Sequence, residues 1–128
     1  LITTPNIKMS LSRNPWHIRE YTATELKNLA KMVFPKVEML GVSGNERVMQ
    51  YYEENKQSVR KMMKWDVLNL QYRLPAFMLK IPYEILNRKN RNKLKIGNDG
   101  LVSEIHHSDY LLSQDADSSL DLFCIMEK

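Results

Sequence analysis

One cysteine, Cys124, is all this sequence has. A lone thiol closes no internal disulfide and builds no zinc site with other cysteines, so nothing calls for an oxidising compartment, and a reduced cytoplasm is the expected setting. Long apolar runs are missing as well. None reaches the roughly 18 to 20 residues of a spanning helix, and the opening LITTPNIKMS lacks the basic-then-apolar layout of a secretory signal. Neither a membrane span nor export is expected. The absence of a G-x-x-x-x-G-K-[ST] loop, a G-x-S-x-G elbow and an H-E-x-x-H pair removes several common enzyme classes.

What is present describes a folding chain. With 43% hydrophobic and 27% charged residues over 128 positions, the sequence has the profile of one globular domain with a modest core. Its net charge of +4 favours anionic partners in general without naming one.

The clearest element is YTATELKNLAKMVF, residues 21–34. Thr22 and Glu25 have the spacing of a capping box, and Tyr21 and Leu26 that of a hydrophobic staple. Leu26, Leu29, Ala30 and Val33 then recur on one helical face, and Pro35 marks the stop. KVEML, residues 36–40, reads as a short strand closed by Gly41, and LDLFCIMEK near the other terminus as a second. The second is apolar on both faces, which predicts a sheet with helices on each side. LITTPN has the character of a strand end running into a turn.

The interval between these strands is too long for a loop. SGNERVMQYYEENKQSVRKMMKW opens with another capping-box pair, Ser43 and Glu46, and continues at helical spacing. Pro75 and Pro82 are expected to break the next stretch, DVLNLQYRLPAFMLKIPYEILNRKNRNKLK, into short helical pieces, and IGNDG to turn into a third short strand, LVSEI. The apolar stretch around Phe77, Met78, Ile81 and Ile85 runs directly into the basic residues Arg88, Lys89, Arg91, Lys93 and Lys95. Such a layout suits peripheral contact with an anionic membrane surface, or else an insert packing its own core with a solvated basic face. Nucleic acid is the weaker partner: Glu53, Glu54 and Asp66 interrupt the basic character, so no continuous stripe forms.

Taken in order, a strand end in TPN, the loop SRNPWHIREYTATEL opening a capped helix, MVFPKVEMLGVSGN, and the closing LDLFCIMEK together resemble the C-terminal half of a class I S-adenosylmethionine-dependent methyltransferase. The resemblance touches both ends of the chain and skips its middle. It implies an α/β fold: a partial Rossmann-like sheet holding the family's last three strands, the final one antiparallel, with residues 43–100 as a helical insertion acting as lid or cap. Residues 1–128 would then be the C-terminal part of one methyltransferase domain. The family's Gly-rich turn and ribose-holding acidic residue would lie upstream, since no G-x-G occurs here. This stretch alone is therefore expected to be inactive, with S-adenosylmethionine as a cofactor of the longer protein. An exposed edge on the truncated strand favours self-association.

The resemblance also assigns residues. His17, on the loop after the first strand, is the candidate catalytic base, a neutral imidazole able to take a proton from an acceptor hydroxyl or amine. Arg13, Asn14, Trp16 and Arg19 share that loop, and with Asn6 and Tyr21 at its ends they form the candidate substrate-binding set for a small-molecule, sugar or lipid-like acceptor. The alternative is structural: Trp16 and His17 pack and hydrogen-bond the start of the helix, and the others are solvated. No metal is expected, because His106 and His107 are adjacent and lack a third ligand at suitable spacing. Cys124 is expected to be a small buried apolar residue.

Overall fold

The computed structural model describes residues 1–64, 66, 68, 70–97 and 104–128, with the backbone alone for 62, 71 and 93–97. The chain is α/β, and it divides into two compact units that share it discontinuously. One comprises residues 1–10, 19–45 and 107–128, the other 11–18 and 46–106.

The first unit is a four-stranded sheet with one helix. Its strands are β1 (Ile2–Pro5), β2 (Lys36–Gly44), β3 (Tyr110–Ser113) and β4 (Asp121–Glu127), in the spatial order β1-β4-β2-β3. Every neighbouring pair is antiparallel. β4 pairs through Cys124 with Ile2 on one side and Met39 on the other. Since β4 opposes both, β1 and β2 point the same way, one strand apart, with helix α1 (Ala23–Lys31) in the connection between them.

Helix α1 starts as its sequence dictates. Thr22 accepts the Glu25 backbone N–H at 3.2 Å, and the Glu25 carboxylate accepts the Thr22 backbone N–H at 2.9 Å. Two of the amide groups a helix start leaves unpaired are thereby satisfied. Ala23, Leu26 and Ala30 are buried and pack with Leu122, Cys124 and Ala116, with Tyr21, Val37, Met39 and Met126 around them. The buried stripe is narrower than the sequence suggests: Leu29 is 48% and Val33 73% exposed, and the helix stops at Lys31, before Val33 would complete another turn. Helices on both faces of the sheet are likewise not found within this unit, where α1 is the sole α-helix among the described residues and covers the face carrying Leu122 and Cys124.

Gly41 does not close β2 as expected; the strand runs on to Gly44. Its lack of a side chain serves a close approach instead, since a Cβ there would meet the Ser119 side chain and Ala116. The expected strand LVSEI is described only in part. Residues 101–103 lie outside the described ones and Glu104 and Ile105 are not in a strand, while the fourth strand is β3, which pairs with the extended end of β2.

The second unit is helical: α2 (Glu46–Met63), α3 (Leu70–Arg73) and α4 (Ala76–Gly97). Ser43 lies in β2, so the expected capping box with Glu46 does not form, and Asn45 occupies the position before the helix. Pro75 separates α3 from α4, but Pro82 does not break α4. The helix continues past it although proline supplies no N–H for the carbonyl four residues earlier. A polar seam joins α4 to α2. Asn90, 5% exposed, donates from Nδ2 to Asn55 at 2.7 Å and accepts the Ser58 hydroxyl at 2.5 Å, which ties the two helices together.

Candidate functional site

The seven residues singled out from the sequence fall into both units. Asn6, Arg19 and Tyr21 belong to the sheet unit, and Arg13, Asn14, Trp16 and His17 to the helical one.

Asn6 is fully buried at the end of β1. Its Nδ2 lies 3.1, 3.0 and 2.9 Å from the carbonyl oxygens of Ala116, Asp117 and Ser119, and its Oδ1 accepts the Lys8 backbone N–H at 3.1 Å. The side chain thus holds the turn before β4 against the end of β1, with its polar atoms committed to backbone groups. Arg19 and Tyr21 are engaged at the start of α1. The Arg19 guanidinium stands 4.9 Å from the centre of the Tyr21 ring and 3.6 Å from the Glu25 carboxylate, and Tyr21 packs on the core. Thr22, donating to the Glu25 carboxylate from its backbone N–H and from its hydroxyl at 3.0 Å, holds that carboxyl below its ordinary range with help from Arg19.

In the helical unit, NPWH forms a tight turn organised by Asn14. Its Oδ1 accepts the Trp16 backbone N–H at 3.0 Å, its carbonyl accepts the His17 N–H at 3.1 Å, and its Nδ2 lies 3.2 Å from His17 Nε2. With the amide donating, Nε2 is an acceptor and a neutral imidazole carries its proton on Nδ1. His17 is exposed, while Pro15 between the anchors is buried. Arg13 donates to the Leu74 carbonyl at 3.2 Å, which fixes the segment to the residue before Pro75.

Trp16 is 54% exposed, with the Lys80 ammonium 4.1 Å from its ring centre. Together with Asn14 it forms one wall of a cavity of about 460 Å³. The opposite wall is α4: Tyr83, Asn87 and Arg91 at four-residue spacing, with Glu84, Arg88 and Asn92 one residue further on. Two of the seven residues thus meet in a cavity, and His17 is not among those lining it. The α4 wall is hidden in the sequence while the basic run is taken as one patch. Its signal is the recurrence of Tyr83, Asn87 and Arg91 on a helical face distinct from that of Phe77, Ile81 and Ile85.

Cys124 is fully buried and burial pushes its thiol up, so it stays protonated at neutral pH. His107 opens the 3-10 turn before β3, and among the described residues no group of three His, Cys, Asp or Glu side chains could hold a metal ion. Nor do the described residues form a glycine cradle for a nucleotide. Gly41 faces Ser119 and Ala116, Gly44 ends β2 and Gly97 ends α4. No family model, curated protein or solved structure matches the chain.

Proposed function

We propose that the chain is the substrate-side part of an S-adenosylmethionine-dependent methyltransferase that modifies a small-molecule, sugar or lipid-like acceptor. The observation that carries this reading is the position of β4 between β1 and β2, antiparallel to both. Successive hairpins would place strands side by side in chain order. Here β1 and β2 share a direction, are joined through a helix, and leave one strand's width for the last strand of the chain. That is the arrangement the resemblance implies for the closing end of a Rossmann-like sheet. Two further features support it. The second side of β1 has no paired strand among the described residues, with Ile2 46% exposed, so the sheet can be extended there by more strands or by a second copy. The loop bearing the candidate residues leaves the C-terminal end of β1, where ligands of open α/β sheets collect.

On this reading the chain contributes acceptor binding and orientation, which are the main requirement of a direct group transfer. The helical unit is the lid that selects the acceptor, and His17 takes up the acceptor's proton. The test is transfer of a labelled methyl group by the full-length protein to a panel of sugar, lipid and phenolic acceptors. Label appearing in one class supports the reading, and a protein that neither binds the donor nor labels any acceptor overturns it.

A second reading is favoured by one surface. Along α4, Phe77, Ile81 and Ile85 recur every four residues and are 72%, 72% and 55% exposed, with the basic Arg88, Lys89 and Arg91 following. The side chains of Lys93 and Lys95 lie outside the described residues. No helix among the described residues is long and apolar enough to cross a membrane. An apolar stripe ending in basic residues suits shallow contact with an anionic bilayer, each cation contributing about 1 kcal/mol. Flotation with vesicles that contain anionic lipid, lost in Ile81→Glu and in purely zwitterionic vesicles, checks it.

A further inference from the structure

We infer that the cavity between the NPWH turn and α4 binds a sugar phosphate: a polyhydroxylated ring carrying one phosphoryl group. Arg88 and Arg91 stand one turn apart on the cavity wall, and among the described residues neither guanidinium has a carboxylate within ion-pair distance, although Glu84 precedes Arg88 by a single turn. Two unpaired guanidiniums at that spacing offer their forked donors to one tetrahedral anion. Lys80, over the Trp16 ring, adds a third positive charge nearby.

The anion is only part of the ligand. A cavity of about 460 Å³ is of the size that takes a whole small molecule rather than a bare phosphate. Its remaining lining divides into an aromatic surface and a set of amides. The half-exposed Trp16 indole, one face of which carries Lys80, and the Tyr83 side chain supply aromatic surface of the kind that the C–H face of a pyranose covers. Asn87 and Asn92 each combine an acceptor with two donors, the complement of a hydroxyl that both gives and receives a hydrogen bond. The Glu84 carboxylate accepts only, and it repels an anion placed beside it, so the hydroxyls belong on its side and the phosphate toward Arg91. A purely apolar ligand would strand these groups, and a bare anion would leave the rings uncovered.

As the identity of the methyl acceptor, this inference rests on the methyltransferase reading; as a binding site it does not. The experiment separates the two by measuring binding without any methyl donor. The full-length protein is titrated calorimetrically with glucose monophosphate, free glucose, inorganic phosphate and adenosine monophosphate. Glucose monophosphate is expected to bind most tightly, and Arg88→Gln and Arg91→Gln each to weaken it about tenfold while leaving the circular dichroism unchanged. Trp16→Leu should weaken glucose monophosphate yet leave inorganic phosphate as it was. No binding of glucose monophosphate at millimolar concentration overturns the inference. So does binding indifferent to both arginine substitutions, or tighter binding of adenosine monophosphate. Binding without methyl transfer counts against the methyltransferase alone, and transfer to acceptors that the site does not bind counts against this site alone.

Discussion

A Cβ placed on Gly41 would overlap the Ser119 side chain and stand 2.9 Å from the Ala116 Cα. The middle of β2 and the turn before β4 are therefore in direct contact. Ser119 is held there by its own hydroxyl, which donates to the Asp115 carbonyl at 2.6 Å. Gly41→Ala forces that turn outward, and overpacking of this kind costs about 1 to 3 kcal/mol. In the Gly41→Ala background, Ser119→Gly should recover part of the loss, whereas Ser119→Ala should recover less because its Cβ remains in the way. Urea unfolding of the four proteins checks this, and a Gly41→Ala variant as stable as its parent would refute the contact.

The same turn is gripped from the other side by Asn6. Replacing Asn6 with Ala leaves the carbonyls of Ala116, Asp117 and Ser119 without their shared donor, a loss of about 1 to 3 kcal/mol for one unsatisfied buried group. Asn6→Asp keeps the shape but points a carboxylate at the same oxygens, so at neutral pH it should destabilise more than Asn6→Ala. Its folded-state acid is favoured in the protonated form. The penalty is therefore absent below the ordinary carboxyl range and grows as pH rises through it. Thermal melts of both variants at acidic and neutral pH distinguish repulsion from a simple lost bond.

The parts of this fold that are legible in the sequence are those fixed by near neighbours. Thr22 and Glu25 meet within one turn, so their spacing suffices to place the start of α1. β2 and β4 are legible from apolar runs bounded by turn residues, though not the register that sets Met39 opposite Cys124. What fails depends on distant partners. Gly41 reads as a strand terminator until Ser119, far along the chain, is known to lie against it. Asn6 reads as a substrate-binding candidate at a strand end until the Ala116–Ser119 carbonyls are brought to it, and Asn90 as part of a basic solvated run until Asn55 and Ser58 face it. Ser43 fails as a cap because β3 pairs with that end of β2 and keeps it extended. For the candidate site, the NPWH turn is visible because Asn14 makes it locally, whereas the α4 wall requires the turn and the helix to be seen together.

Acid should weaken the sheet unit through two exposed carboxylates. Ser118, by its hydroxyl and its backbone N–H, holds the Asp115 carboxyl below its ordinary value, as Thr22 does for Glu25. For groups so lowered, the unfolded chain binds protons more readily than the folded one. Their contribution is complete above the ordinary carboxyl range, about pH 4, and is lost as pH falls through the lowered folded values. Asp115→Asn and Glu25→Gln should each flatten the acid limb of a stability-versus-pH curve while changing little near pH 7 beyond the loss of the bond itself. An acid limb unaffected by the pair would assign it to other carboxyls.

His17 carries the sharpest functional prediction. Its Nε2 faces the Asn14 amide at 3.2 Å in an exposed turn, so on the proposed reading an acceptor hydroxyl must displace that amide to deliver its proton. A general base of this kind contributes on the order of a hundredfold or more to turnover. On the proposed reading His17→Ala should accordingly lower kcat by about that factor. Asn14→Ala should behave differently: it removes the amide from Nε2 but releases the backbone of Trp16, so KM rises while the pH dependence of kcat is preserved. Steady-state kinetics of both variants across about pH 5 to 9 separate proton uptake from positioning, over the range in which a histidine base titrates. Equal kcat for the parent and His17→Ala on every accepted substrate would remove the base and leave the turn a purely architectural role.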